Sequence, residues 1–442
     1  MLERGIGLGS AVSTNVLNMV GIGPFLTIPL VLAAMGGPQA MLGWILGAFL
    51  SLCDGMVWAE LGSAMPESGG SYHYLLQMFG PRSFGRLMSF LILWQTVLIG
   101  PLSIASGAVG FAQYLAYIVP ALHGWQLPAL AAAVCVVNTV LLLRRIESIG
   151  WLSAGIASIV VGTCMWILIS GFLHFHAATA FNLAGTKPFG GHAFWLGLGS
   201  ATLIALYDYG GYYNVCLIGG EVRTPRSTIP RSILISIGLV ATLYLAMNTA
   251  ILGVVPWREA MHSSAVVALF MRRIYGPGAA TAVAVLILIA TFGSVFAVLL
   301  GYSRVPYAAA AEGRFFRIFA RLHPRGRYPV AAVLTMGALS ALACVFSLSD
   351  LISALIVAQT MLQFMAQCVA VILLRRSGRQ TDECYRMPLF PLPALIALAG
   401  WAYIVVTSGT RYIVVGAIVI VLGVAAFLLR SLRARDWPFE AA

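Results

Sequence analysis

The chain has 442 residues, of which 60% are hydrophobic and 9% charged, and its mean hydropathy is +0.93. No water-soluble domain has that composition, so its repeated apolar runs read as transmembrane helices, and nothing in the chain resembles a separate soluble domain. The formal net charge of +12 follows from topology and does not point to nucleic acid. With the N-terminus inside, only Lys187, Arg258, Arg272, Arg273 and Arg411 fall outside, and all other basic residues fall on the cytoplasmic side. A multi-pass protein of the plasma membrane, bacterial inner membrane in type, with both termini cytoplasmic is the expectation. The seven cysteines show no CxxC or metal-ligand spacing and read as small packing residues. The first apolar run is too long for a signal-peptide core and is expected to remain as the first span.

In chain order, apolar runs and their breakers predict about twelve spans of roughly 20 residues. These are 8–34, 38–63, 85–118, 127–143, 149–172, 194–220, 229–254, 277–308, 329–347, 351–374, 389–407 and 411–430. The first is interrupted by Gly21-Ile22-Gly23-Pro24 and the sixth near Tyr209-Gly210-Gly211-Tyr212. Proline removes a backbone donor and glycine weakens a helix. In hydrocarbon each freed N–H or C=O is costly unless something satisfies it, so a break at mid-depth is expected to line a cavity. After the second span, Pro66-Glu67-Ser68-Gly69-Gly70-Ser71-Tyr72 is a turn-rich loop, and a short interfacial helix runs from it to Phe79, before Gly80-Pro81. The third span is long enough to tilt. The fourth and fifth are joined by a basic turn, Arg144-Arg145-Ile146-Glu147. The segment 173–192, with His174, His176 and His192, reads as a solvated outer loop whose histidine spacing is too loose for a metal site.

The two interrupted runs stand five spans apart, and an odd-numbered unit can repeat only with inverted topology. The expected fold class is therefore an all-α polytopic membrane protein with 12 transmembrane helices in a 5+5 inverted repeat, helices 1 and 6 being discontinuous. Residues 8–172 form the first five-helix repeat, 194–374 the second, and 389–430 carry helices 11 and 12.

Helix ends say what such breaks can hold. An N-terminal end presents unpaired N–H groups and partial positive charge, which suit a carboxylate; a C-terminal end presents carbonyls, which suit an ammonium or a cation. A zwitterionic amino acid offers both groups on one carbon, and Gly21 and Gly23 would let backbone approach it closely. One Gly-x-Gly-Pro alone would read as a packing kink; two breaks at matching positions favour a ligand site. Asp54 in the second span and Asp208 beside the second break are intramembrane acids, functional by default. No Lys or Arg falls in the middle of a span, so each acid is expected to be neutral, wetted by the cavity, or partnered by substrate, ion or proton. A helix-capping role for Asp208 stays open. Tyr207, Tyr209, Tyr212 and Tyr213 cluster at the second break, where aromatic faces cover an ammonium or simply fill space. Asn214 offers a donor and an acceptor.

Several motifs together resemble the amino acid–polyamine–organocation permeases, over nearly the whole chain. Ala59-Glu60-Leu61-Gly62 through Tyr72 is similar to that family's signature at the end of its second helix. Gly220-Glu221-Val222-Arg223-Thr224-Pro225 with Ile229-Pro230 resembles its motif after the sixth helix. Ser303-Arg304-Val305 with Glu312-Gly313-Arg314, and Arg386-Met387-Pro388-Leu389-Phe390-Pro391, resemble its eighth-helix ending and the start of its eleventh helix. The resemblance implies a LeuT-type fold. It makes Gly21, Ile22 and Gly23 the unwound segment that holds a substrate head group. It makes Tyr207, Asp208, Tyr209, Gly210, Gly211 and Tyr212 the counterpart in the sixth helix, with an aromatic gate near Tyr207. Thr291 and Ser294 match positions where sodium-coupled relatives place hydroxyl ligands. The lysine that proton-coupled relatives often carry on the fifth helix is missing from 149–172. Asp54 also matches an acid of polyamine-uptake members, and Gly219-Gly220-Glu221-Val222 looks like theirs.

The sequence thus points to a secondary transporter for an amino acid, proton-coupled or exchanging, with polyamine or organic-cation uptake as the alternative substrate class. Spans 1, 2, 6 and 7 would rock against 3, 4, 8 and 9. A non-transporting sensor on the same scaffold is the alternative class. An enzyme is not expected, because the histidines lie in loops or at span ends and no catalytic pair sits at depth. Coupling candidates are Asp54, Asp208, Thr291 and Ser294. No cofactor is expected beyond a coupling proton or sodium ion, and no partner beyond the bilayer and a small amino acid or amine.

Overall fold

The computed structural model describes residues 4–21, 23–67, 69–143, 149–186, 188–311, 313–323, 328–378, 383–434 and 436–439. Ile22, Ser68, the turn Arg144-Arg145-Ile146-Glu147, Lys187 and Glu312 lie outside the described residues. With no water at depth, each apolar run satisfies its backbone internally by becoming helix. Among the described residues the only extended pairing is one bridge, Ile6 to Val222.

The first run forms α1 (Leu8–Met19) and α2 (Gly23–Met35), bent by 50°. The second forms α3 (Met41–Ala64) after a 3-10 turn at Pro38–Ala40, and the interfacial helix is α4 (Ser71–Met78). Next come α5 (Phe84–Ile118), α6 (Gln126–Leu142) and α7 (Ile149–Leu173), then a single helical turn, α8 (Ala177–Ala180), within the loop that follows. The sixth run is α9 (Gly191–Tyr209) and α10 (Asn214–Leu217), followed by a 3-10 turn at Gly219–Glu221 and then α11 (Pro225–Leu252). Between the seventh and eighth runs lie α12 (Trp257–Ala260) and α13 (Val266–Tyr275), then α14 (Pro277–Ala311). The last elements are α15 (Val330–Ala343), α16 (Leu348–Gln359), a π-turn at Thr360–Phe364, α17 (Met365–Arg376), α18 (Leu392–Thr407) and α19 (Thr410–Ala434).

Most boundaries agree with the predicted spans to within a few residues. The sixth run differs. It is helical only to Tyr209 and resumes for a single turn, because Gly210 leaves the helical region at ψ 143° and Gly211 takes φ +114°. The tenth begins at Leu348, where the Ser347 hydroxyl accepts the Asp350 N–H at 3.1 Å, and carries an unexpected π-turn. Helix α13 was not expected; Val266, Val267, Phe270 and Met271 bury one face of it, while Arg272 and Arg273 stay exposed.

Among the described residues six elements are long and apolar enough to cross a membrane: Pro38–Ala64, Phe84–Ile118, Pro225–Leu252, Pro277–Ala311, Leu348–Arg376 and Thr410–Arg433. The bent α1–α2 pair makes a seventh. The chain is a multi-pass membrane protein.

Two packed groups divide the bundle. In one, α3 lies against α9 and α11, α2 against α9, and α1 against α11; in the other, α5, α6, α14 and α15 pack on one another around a separate apolar core. Small residues set the first group's spacing, as expected inside a membrane. A Cβ on Gly43 would stand 2.7 Å from the Ala201 Cβ, and one on Gly47 3.2 Å from Ala205 and Tyr209.

The far end of α3 is clamped by charge. Glu60 is fully buried and accepts from Arg375 Nε, from Arg375 Nη2 at 2.9 Å and from the Met387 N–H at 2.7 Å. Removing one member of such a pair leaves the other charge uncompensated. Because Arg375 is 23% exposed, Glu60→Ala is expected at the low end of the usual cost, roughly 3 kcal/mol. It should appear as an earlier transition in a thermal-unfolding measurement on purified protein, whereas an unchanged transition would show that the clamp adds nothing.

Candidate functional site

Each break has a local cause. At the end of α1, the Val20 N–H returns to the Val16 carbonyl at 2.7 Å and the Gly21 N–H to the Met19 carbonyl at 2.9 Å. Helix resumes at Gly23, with Pro24 in the first turn, where its missing N–H would have had no partner. At the end of α9, the Gly210 N–H closes on the Leu206 carbonyl at 3.0 Å and the chain swings away through Gly211. A Cβ on Gly211 would meet the backbone of Asn18 and Met19 at 3.1–3.2 Å, so the second break lies directly on the end of α1. Asn15 Oδ1 accepts the Val215 N–H at 2.9 Å and fixes the crossing from the other side. The Tyr244 hydroxyl of α11 donates to the Met19 carbonyl at 2.7 Å and lies 3.4 Å from the Asp208 carbonyl, capping both helix ends.

The buried Asp208 carboxylate projects from this crossing onto the start of α2. Thr27, one turn into α2, donates to Asp208 Oδ2 at 2.5 Å. The other oxygen, Oδ1, lies against the α-carbon of Gly23, where any Cβ would overlap it, and has no hydrogen-bond partner among the described residues. A fully buried carboxylate oxygen left in this way is costly and is suited to a proton or an ammonium. Tyr207 passes along the same glycine, and its hydroxyl shares a 2.8 Å hydrogen bond with Ser106 of α5. Tyr209 turns inward to a buried aromatic cluster with Trp44 and Tyr244 and donates to the Trp44 carbonyl at 3.2 Å.

Asp54 stands in a different setting. The Tyr212 hydroxyl donates to its Oδ2 at 2.5 Å and Trp401 Nε1 to its Oδ1 at 3.0 Å, so both oxygens are engaged by neutral donors. The three residues tie α3, the second break and α18 together. Neither acid has a Lys or Arg among its hydrogen-bond and ion-pair partners in the described residues.

The structure thus brings together Gly23, Tyr207, Asp208 and Gly211, with half-buried Gly21 and Gly210 at the edges. Asn214 contributes through its backbone, its N–H donating to the Gly211 carbonyl at 3.0 Å. Ile22 lies outside the described residues. Thr291 is buried on α14 and donates to the Ile287 carbonyl of its own helix at 2.6 Å; neither it nor half-buried Ser294 shares a hydrogen bond with Gly23 or Asp208. Among the described residues no group of three His, Cys, Asp or Glu is placed to hold a metal. Thr27, Tyr244, Ser106 and Trp401 were not singled out from the sequence. Only Thr27 had a readable signal, a hydroxyl one turn after Gly23 in a helix otherwise apolar.

The two halves of the first run differ in exposure. On α1, Ser10, Ser13 and Asn18 are exposed, whereas 23–29 on α2 are buried throughout. On the α2 side α5 closes over the site: Tyr114 donates to the Phe25 carbonyl at 2.9 Å, and Gly110 accommodates Leu26.

The model of the family described as "Amino acid permease" matches residues 6–429. The chain is 28% identical over 392 residues to cationic amino acid transporter 4 of Mus musculus, covering 84% of this chain and 60% of that one, so it spans under two thirds of that relative's length. It is 27% identical over 416 residues to the serine/threonine exchanger SteT of Bacillus subtilis, covering 90% of each. To the Asc-type amino acid transporter 1 of Mus musculus it is 28% identical over 446 residues, covering 97% of this chain and 81% of that one.

The two glycines of the first break make different demands. A methyl at Gly23 overlaps the Asp208 carboxylate, whereas one at Gly21 meets nothing within 4 Å. Gly23→Ala is expected to destabilise the protein by about 1–3 kcal/mol through overpacking, and Gly21→Ala to leave thermal stability unchanged. Equal transitions for the two variants would contradict the contact.

Proposed function

Because the chain belongs to the amino acid permease family, a family of transporters and not of enzymes, we propose that it is a secondary transporter that moves amino acids across the plasma membrane by alternating access. The observation that carries this reading is the crossing of two helix breaks at Gly23 and Asp208, with a buried carboxylate oxygen left for a guest. In this reading the amino acid's carboxylate lies on the backbone at Gly21 and Gly23. Its ammonium lies toward the α9 end, near Asp208 and the Gly210 turn, and Tyr207 covers it. With the four shorter apolar helices and α9 each crossing once, the helices amount to twelve spans. They form the LeuT-type 5+5 inverted repeat over 8–172 and 194–374, with 389–430 outside it and both termini cytoplasmic. The group containing α1, α2, α3, α9 and α11 rocks against α5, α6, α14 and α15. The exposed polar face of α1 then lines an aqueous path from the cytoplasm, while the contacts of α5 with α2 close the opposite side.

For coupling, Asp208 is the stronger candidate and Asp54 the weaker, since Tyr212 and Trp401 already engage both Asp54 oxygens. A proton on Asp208 would alternate with the substrate ammonium; sodium at Thr291 and Ser294 is the other possibility. The same unpartnered oxygen favours a second reading, a polyamine or other organic cation, which would need no carboxylate site.

Uptake into liposomes separates these readings. Labelled serine, leucine or arginine is expected to enter in preference to putrescine; the reverse order would assign the site to polyamines, and specific binding without flux would make the protein a sensor. Gly21→Ala should weaken binding without loss of stability. Loss of a hydrogen bond to a charged group corresponds to roughly tenfold or more, so Asp208→Asn is expected to lower uptake by at least about tenfold and to flatten its response to an inward pH gradient. Unaltered rate and pH response would remove Asp208 from the mechanism.

A further inference from the structure

Trp401 of α18 stands behind the second break. It is buried, and its one polar atom, Nε1, donates to Asp54 Oδ1 at 3.0 Å. The other Asp54 oxygen accepts the Tyr212 hydroxyl at 2.5 Å. A carboxylate held on one oxygen cannot turn freely, so it presents its second oxygen in one place. Trp401 also reaches the break by packing. Its indole stacks on the Phe364 ring, with centroids 4.4 Å apart and planes 11° from parallel. Phe364, the last residue of the π-turn, meets Tyr213 edge-on at 6.0 Å, and Tyr213 stacks on Trp58 at 4.6 Å. Two lines of contact therefore run from α18 to consecutive residues, Tyr212 and Tyr213.

These two residues follow the part of the break that most needs an anchor. Gly210 and Gly211 have no side chains, so their backbone is free to adopt many conformations unless its flanks are held. Upstream, Thr27 holds Asp208 and the Tyr244 hydroxyl meets the Asp208 carbonyl. Downstream, Asp54 holds Tyr212 and Asn15 holds the Val215 N–H. A site keeps its geometry when the groups behind it are themselves locked by packing and hydrogen bonds. Resting on the reading of the two breaks as a substrate site, we propose that Trp401 is a positioning residue for transport. It holds Tyr212 through Asp54 and seats Tyr213 through Phe364, and so fixes the Gly210–Gly211 turn that faces the substrate ammonium. Helix α18, outside both five-helix repeats in that reading, thereby takes part in binding.

Trp401→Phe keeps an aromatic ring against Phe364 and removes the N–H donor. The test is hydrogen–deuterium exchange, followed by mass spectrometry, on the full-length protein in lipid nanodiscs. Loss of a hydrogen bond to a charged group corresponds to roughly tenfold. The amides of residues 214–216 should therefore exchange about tenfold faster in Trp401→Phe, while those of α13 keep their rate. Tyr212→Phe should give the same rise, and adding Trp401→Phe to it should change the rate by less than about twofold, because both act on one line of contact. In liposomes, Trp401→Phe should raise the KM for amino acid uptake about tenfold and leave kcat within about twofold. A purely structural defect would instead lower the maximal rate at unchanged KM. Absence of uptake by the unaltered protein would contradict the transport reading. Unaltered exchange at 214–216, a rise shared equally by α13, or an unchanged KM in a protein that does transport would overturn the role of Trp401.

Discussion

Asp208 rests on the α-carbon of Gly23, and the rest of the site depends on that contact. It requires a residue without a side chain at 23, which brings the start of α2 onto the end of α9. It also places the Thr27 hydroxyl, one turn later, within 2.5 Å of the carboxylate. With α2 fixed there, the end of α1 meets the second break, and Gly211 becomes a second position without room for a side chain, here against the backbone of Asn18 and Met19. Tyr244 and Asn15 then satisfy carbonyl and amide groups that two broken helices would otherwise leave unpaired in a dry interior. At the crossing, two buried polar atoms stay without a hydrogen-bond partner among the described residues, Asp208 Oδ1 and Asn15 Nδ2, and only the first belongs to an acid.

The same crossing stands between the two packed groups of helices. Their polar links beside the site are few: Ser106 with Tyr207 at 2.8 Å and Tyr114 with the Phe25 carbonyl at 2.9 Å. Each such bond contributes on the order of 1 kcal/mol net, small enough to be exchanged when one group tilts against the other. Small residues, Gly43 and Gly47, hold the first group close internally, and Glu60 with Arg375 fixes α3 to α17 at its far end. A movement of whole groups therefore costs less than a distortion within one.

Much of this was legible in the sequence. Apolar length gave the helices, and Gly21-Ile22-Gly23-Pro24 marked a real interruption, since glycine and proline act locally and leave a mark in the sequence. Asp208 stood out because an acid in an apolar run is rare. What could not be read was pairing across the bundle. Nothing near Tyr244 in the chain says that it caps α1, and Asp54 looked unpartnered because its donors, Tyr212 and Trp401, are 158 and 347 residues away. The sixth run looked as apolar after its break as before it, but the positive φ at Gly211 and the approach to Asn18 leave room for only one more helical turn. Helix α13 was missed because it is only 10 residues long and carries Arg272 and Arg273, and its burial depends on neighbours, among them α14, that only the fold supplies.

A structure of the protein with a bound amino acid, determined by cryo-electron microscopy in a lipid nanodisc, would test the central claim most directly. The expected result is ligand density at the crossing of the two breaks, its carboxylate on the backbone at Gly21 and Gly23 and its ammonium toward Asp208 and Gly210. Ligand density away from both breaks, or at the crossing but out of contact with residues 21–23, would contradict it.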